Sequence, residues 1–211
     1  MAFMKKMFLP VTIWYMMTIY CNCDMSSDLE KSFIENEIIP DTLKTAPKKI
    51  LSVSYGSDAI VNLGNELKPT QTKERPTVTW EVEKGAFYTL IKVDPDAPSR
   101  VNPAYRDIRH WLIMNIPESD VANGDEIIEY IGAGPPKDTG LHRYIFLVFK
   151  QPNGKIEHNE LRATKRQMNN RPKTSVTEFM KKYNLNEPNF GNFYQAQYDE
   201  YSDVLHAQLM G

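Results

Sequence analysis

Three segments decide how this chain reads: Asp94-Pro95-Asp96-Ala97-Pro98-Ser99-Arg100, Tyr105-Arg106-Asp107-Ile108-Arg109-His110-Trp111 and Gly132-Ala133-Gly134-Pro135-Pro136-Lys137-Asp138-Thr139-Gly140-Leu141-His142-Arg143-Tyr144. Each lies beside an apolar run: Phe87 to Val93, His110 to Ile116, or Tyr144 to Phe149. Runs so dense in branched and aromatic residues predict central β-strands. Proline fixes φ, so the carboxylates, imidazoles and tyrosines between these runs sit on stiffened loops. A rigid scaffold that presents a few polar groups from loops is how binding sites are built.

Working outward, Ile50 to Tyr55 and Thr77 to Val82 alternate polar and apolar residues and predict two more strands. Asn153-Gly154 predicts a turn closing a hairpin between Gln151 and Ile156. Ser27-Asp28-Leu29-Glu30 is a capping box, and Leu29, Phe33, Ile34 and Ile38 follow at helical spacing. A helix over 28–37 is predicted, ended by Pro40. A second capping box, Ser175 to Glu178, opens a helix through about Tyr183. The tail from Asn192 to Met210 predicts a final helix that docks on the sheet. No repeat or linker divides the chain, so residues 24–211 are expected to form one mainly β domain and a monomer.

Of the 211 residues, 41% are apolar and 25% charged, and the net charge is −2. Nucleic acid is therefore excluded as the main partner, since phosphate-backbone binding needs a basic surplus; a local anion pocket is not excluded. Lys5 and Lys6 precede an apolar stretch, Met7 to Tyr20, and then Cys21-Asn22-Cys23. That layout predicts a secretory signal peptide over residues 1–23, cleaved after Cys23. The stretch is short for a membrane span, which needs ~20 residues. It holds neither Arg nor Ser, against a transit peptide. The expectation is a secreted protein without a transmembrane segment; the alternative is a retained extension on a cytoplasmic one. Both cysteines of the chain lie in this segment, so the mature protein would have no thiol chemistry.

Taken singly, Asp94, His110 and His142 each suit a hydrogen-bonded structural role. Each also adjoins a Pro- or Gly-containing loop and an apolar strand, so the three converge if those strands are neighbours. Three chemistries then compete. Two histidines and a carboxylate form a facial metal site. Histidine with aspartate serves acid–base catalysis, though no Gly-x-Ser-x-Gly or retained cysteine supplies a nucleophile. Histidines with Tyr105, Tyr144 and loop amides hold a phosphate or carboxylate, more tightly at low pH.

The same three segments, in this order, strongly resemble the phosphatidylethanolamine-binding proteins, a family of kinase-signalling inhibitors, carboxypeptidase inhibitors and plant flowering regulators. The chain is similar to animal members, with a secreted one expected. The resemblance implies a Greek-key β-sandwich of antiparallel sheets with a short N-terminal helix and C-terminal helices beside the pocket. It implies a non-enzymatic site for a phosphorylated small molecule or phospholipid head group, built from Asp94, Ala97, Pro98, Tyr105, His110, Gly134, Pro135, His142 and Tyr144. No catalytic residue, metal or cofactor is implied, and inhibition of a protease or kinase by protein contact is the second implied role. The Ala97–Pro98 and Arg106–Asp107 bonds are implied to be cis. Ile108 and Arg109 depart from animal relatives, which often carry an aromatic residue and a histidine there. Arg109 is expected to point away from the pocket, because neighbours in a strand face opposite sides.

Overall fold

A computed structural model describes residues 27–210. The predicted signal peptide lies outside them. In chain order the elements are α1 (27–35), α2 (Ile38–Asp41), β1 (Lys49–Ile50), β2 (Ser52–Tyr55), β3 (Ala59–Ile60), β4 (Thr77–Thr79), β5 (Phe87–Asp94), β6 (Ile108–Pro117), β7 (Asp125–Ile128), β8 (His142–Lys150), α3 (Val176–Lys182), β9 (Phe190–Ala196) and α4 (Glu200–Met210). Six strands form one sheet in the order β1-β9-β8-β5-β6-β7, and β3-β2-β4 form a second. All neighbours are antiparallel except β1 and β9, which run parallel. The sheets are otherwise antiparallel, as expected.

The large sheet is covered on both faces. Val53, Tyr55 and Val78 of the small sheet pack against Leu90, Trp111, Tyr144, Phe146 and Tyr194. On the other face, Leu29 and Phe33 of α1 and Phe179 of α3 pack against Ile91, Leu112, Ile145, Leu147 and Phe193. Phe33 meets Phe193 edge-on at 5.2 Å, and neither ring is exposed. Burial of each such side chain contributes roughly 1.5–3 kcal/mol. Strands buried on both faces lose polar alternation, and β9 shows this: only Gln195 of its seven residues is even partly exposed. The tail read as helix from Asn192 onward is therefore a central strand followed by α4.

Two further expectations are corrected. The first helix ends at residue 35, ahead of Pro40, because Glu37 turns left-handed at φ 54°. Asn153-Gly154 makes a turn with Gly154 at φ 79°, but no return strand follows. Instead the Gln151 side-chain amide donates to Gly154 O at 2.7 Å and closes the turn itself. The Ser175 cap is present: its hydroxyl accepts from the Glu178 amide at 3.3 Å.

One irregularity decides which way His110 points. In the β5–β6 ladder, Lys92 pairs with Trp111 but Val93 pairs with Arg109, so His110 is an extra residue, a β-bulge. Trp111 faces the small sheet. His110 faces the same way, meeting Tyr144 edge-on at 5.1 Å. Arg109 faces the opposite side, over Phe179 at 5.1 Å.

Candidate functional site

Antiparallel pairing brings the end of β5 beside the starts of β6 and β8, with Asp94 opposite Ile108 and Val93 opposite Ile145. The loops at these ends surround a cavity of about 240 Å³. Asp94, Ala97, Pro98, Tyr105, His110, Gly134 and His142 line it, together with Ile108. The Ala97–Pro98 and Arg106–Asp107 bonds are both cis. The loop between is pinned by Tyr105 N donating to Ala97 O at 3.0 Å and Arg106 Nε donating to Pro95 O at 2.8 Å.

At the floor, His142 Nδ1 donates to Asp94 Oδ2 at 2.9 Å, and its Nε2 lies 3.0 Å from Thr139 Oγ1. Both ring nitrogens are committed, so His142 has none free for a metal or a ligand. Burial works against charge on this ring, but the hydrogen bond and charge of Asp94 outweigh it and raise its pKa above the ordinary value. The other Asp94 oxygen accepts from Asp96 N at 2.7 Å. His110 Nδ1 donates to Gly132 O at 2.8 Å, which leaves Nε2 as the nitrogen available to a ligand. Burial first, and then the charges of Lys92 and Arg171, push the His110 pKa well below its ordinary value, so the ring is neutral. A neutral ring protonated at Nδ1 offers Nε2 as an acceptor.

Asp96 serves the fold. It is fully buried and receives Arg143 Nε at 2.9 Å and a second guanidinium bond at 2.6 Å. Arg143 reaches on to Asp41 at 2.9 Å and Asn36 O at 2.8 Å, tying the floor to the opening helices. Two carboxylates two residues apart thus take separate tasks, one at the cavity and one in the core. Arg109 points away from the cavity, as its strand position predicts, and pairs with Glu160 at 2.6 Å.

Two of the expected site residues fall outside the lining. Pro136 holds the wall position and Pro135 is buried beside it. Tyr144 is wholly buried behind the floor, where its hydroxyl accepts from Gly134 N at 3.2 Å. The remaining wall is apolar: Ile108, Ile131, Met168, Leu205, Leu209 and Met210. Met168 arrives because Arg171, fully buried, donates to the carbonyls of Gln167, Arg109, Glu129 and Thr164 and folds that loop onto the sheet. Leu205 and His206 come from α4, and His206 Nε2 donates to Gly134 O at 2.9 Å. The sequence places α4 on the sheet without revealing these contacts; the leucines four apart, Leu205 and Leu209, are the available signal.

Strand ends around a cavity, polar at the floor and apolar at the wall, sit on the architecture of a β-sandwich. Residues 45–195 match the phosphatidylethanolamine-binding protein family, and the chain belongs to it. A candidate odorant-binding protein of Drosophila melanogaster, A5, is 34% identical over 188 residues, 89% of each chain. A 26 kDa secreted antigen of Toxocara canis is 39% identical over 165 residues, covering 78% of this chain and 63% of that one. Among solved structures, carboxypeptidase Y inhibitor, determined in complex with its cognate proteinase, is similar at 27% identity. Its TM-score is 0.71, over 83% of this chain and 98% of that one.

Proposed function

We propose that the protein binds, without chemical conversion, a small amphipathic ligand with a phosphorylated or other anionic head group. The reading is supported chiefly by Asp94, His110 and His206 converging on one cavity whose other walls are apolar. A head group takes the polar floor and its apolar part lies along Ile108, Leu205 and Leu209. Because His110 Nε2 is an acceptor, the ligand supplies the proton, as a phosphate monoester P–OH or an ethanolamine ammonium does. His142 orients Asp94 and does not touch the ligand. Titration calorimetry with phosphorylethanolamine tests this: His110→Ala weakens binding about tenfold, the worth of one charge-assisted hydrogen bond, and equal affinity in the two proteins overturns it.

A second reading is inhibition of a protease by surface contact, favoured by the similarity to carboxypeptidase Y inhibitor. Inhibition retained in His110→Ala would support that reading and detach it from the cavity. Secretion after cleavage at Cys23 is also proposed, supported by the layout of residues 1–23 and the secreted relative. Mass spectrometry of the native N-terminus tests it.

A further inference from the structure

Among the described residues no lysine or arginine lines the cavity, yet a lysine lies directly behind its wall. Lys92 is wholly buried between the two sheets. Its Nζ donates to Tyr130 OH and to Ile131 O, each at 3.2 Å. It also lies 4.5 Å from the Tyr130 ring centre, 5.3 Å from that of Tyr144 and 5.5 Å from that of Tyr194. Ile131 is a wall residue, and Tyr144 carries His110 on its edge, so the Lys92 amine is one residue from the cavity.

What Lys92 lacks is a counter-ion. Among the described residues no carboxylate forms an ion pair with it, and both of its hydrogen bonds go to neutral oxygens. Asp94, two residues along on the same face, has one oxygen taken by His142 and the other by the Asp96 amide. A cation in the core is costly unless paired, and it is otherwise driven to lose its proton. Burial indeed holds the Lys92 pKa well below the ordinary lysine value, against the opposing pull of Asp94. Arg171 and His110 are the other titratable groups near it, and neither can serve as an anion. Tyr130, Tyr144 and Tyr194 are kept neutral by burial, which raises all three pKa values well above ordinary.

We propose that Lys92 is the hidden counter-charge of this site: an anionic head in the cavity completes an ion pair across the wall, and its binding draws a proton from solvent onto Nζ. Lys92 is thus a positioning residue that selects for negative charge without touching the ligand. This rests on the anion reading of the cavity. By linkage, a ligand that prefers the protonated protein tenfold moves the Lys92 midpoint up by about one pH unit.

The test follows the Lys92 side-chain resonance by NMR through a pH titration of the whole protein, with and without saturating phosphorylethanolamine, and with inorganic phosphate as the second ligand. A midpoint that rises by about one unit supports the inference. Calorimetry of Lys92→Met then shows about tenfold weaker phosphate binding and loss of the proton uptake seen when buffers of different ionisation heat are compared. Binding with an unmoved midpoint overturns this inference alone. If neither ligand binds the wild-type protein at any pH, the anion reading falls and this inference falls with it. The NMR arm needs no variant, so it holds even where Lys92→Met fails to fold.

Discussion

Asp94 and His142 meet at 2.9 Å where each side chain is at most 5% exposed, and each uses its remaining polar atoms on the loops around it. The pair is a brace for the cavity floor. Its electrostatics fix a sign. The folded pKa of His142 is raised above the ordinary 6.5. Stability from the pair is therefore complete below about 6.5 and is lost as pH rises through the folded value. Denaturant unfolding between pH 6 and 9 should show that decline, and His142→Phe should remove it. The variant should also cost about 1–3 kcal/mol at pH 6, because Asp94 loses a partner it cannot replace with water. A pH slope unchanged in the variant would show that the decline belongs to another group.

Asp107 gives a test of the same pH sign in a lower window. Burial pushes its pKa up from 3.8 to about 6; the Val176 amide works against the rise and the charge of Asp94 adds to it. The folded state thus favours the neutral acid. Stability from this group is complete below about 3.8 and is lost as pH rises through about 6. Asp107→Asn should leave stability near wild type at pH 3.5 and raise it by on the order of 2–3 kcal/mol at pH 8. An equal difference at both values would contradict the assignment.

Arg143 is a fully buried cation with a full set of anionic partners. Removing it in Arg143→Leu leaves Asp96, at zero exposure, with only the Arg106 guanidinium at 3.9 Å as a cationic partner. The expected loss is about 3–5 kcal/mol, read as a shift in the urea midpoint with little change in slope.

Gly134 marks where α4 closes on the cavity. A Cβ there would lie 2.7 Å from Leu205 Cδ2, and Leu205 is itself a buried wall residue. Gly134→Ala should therefore push Leu205 into the cavity. Expected outcomes are about 1–3 kcal/mol of destabilisation from overpacking and a loss of phosphorylethanolamine affinity larger than the stability change accounts for. Calorimetry beside thermal unfolding separates the two.

The strands that build the site were legible because Phe87 to Val93 and Tyr144 to Phe149 are dense, branched and aromatic, and their order placed Asp94, His110 and His142 at neighbouring ends. What escaped has common physical causes. β9 carries a glycine and is covered on both faces, so it lacks the alternation that signals a strand. Met168 and His206 reach the cavity through tertiary contacts from Arg171 and α4, which no local period encodes. The choice of Pro136 over Pro135 depends on one loop's path. Lys92 did leave a signal, a lone charge inside an apolar run, but its meaning rests on which face it occupies and what lies across the gap.

The extra residue at His110 turns one strand into two in series with opposite facing. Beyond it, from Trp111 onward, the side chains answer to the sandwich core; before it, Ile108 and Arg109 answer to the cavity and the outer face. Deleting His110 would relieve the bulge and take the imidazole from the cavity, while Arg109 stayed opposite Val93 on the outer face and Ile108 kept its side. The lining of the cavity is thus set partly by the spacing of the chain. Variation at 108 and 110 can retune the cavity while the hydrophobic register beyond it stays fixed.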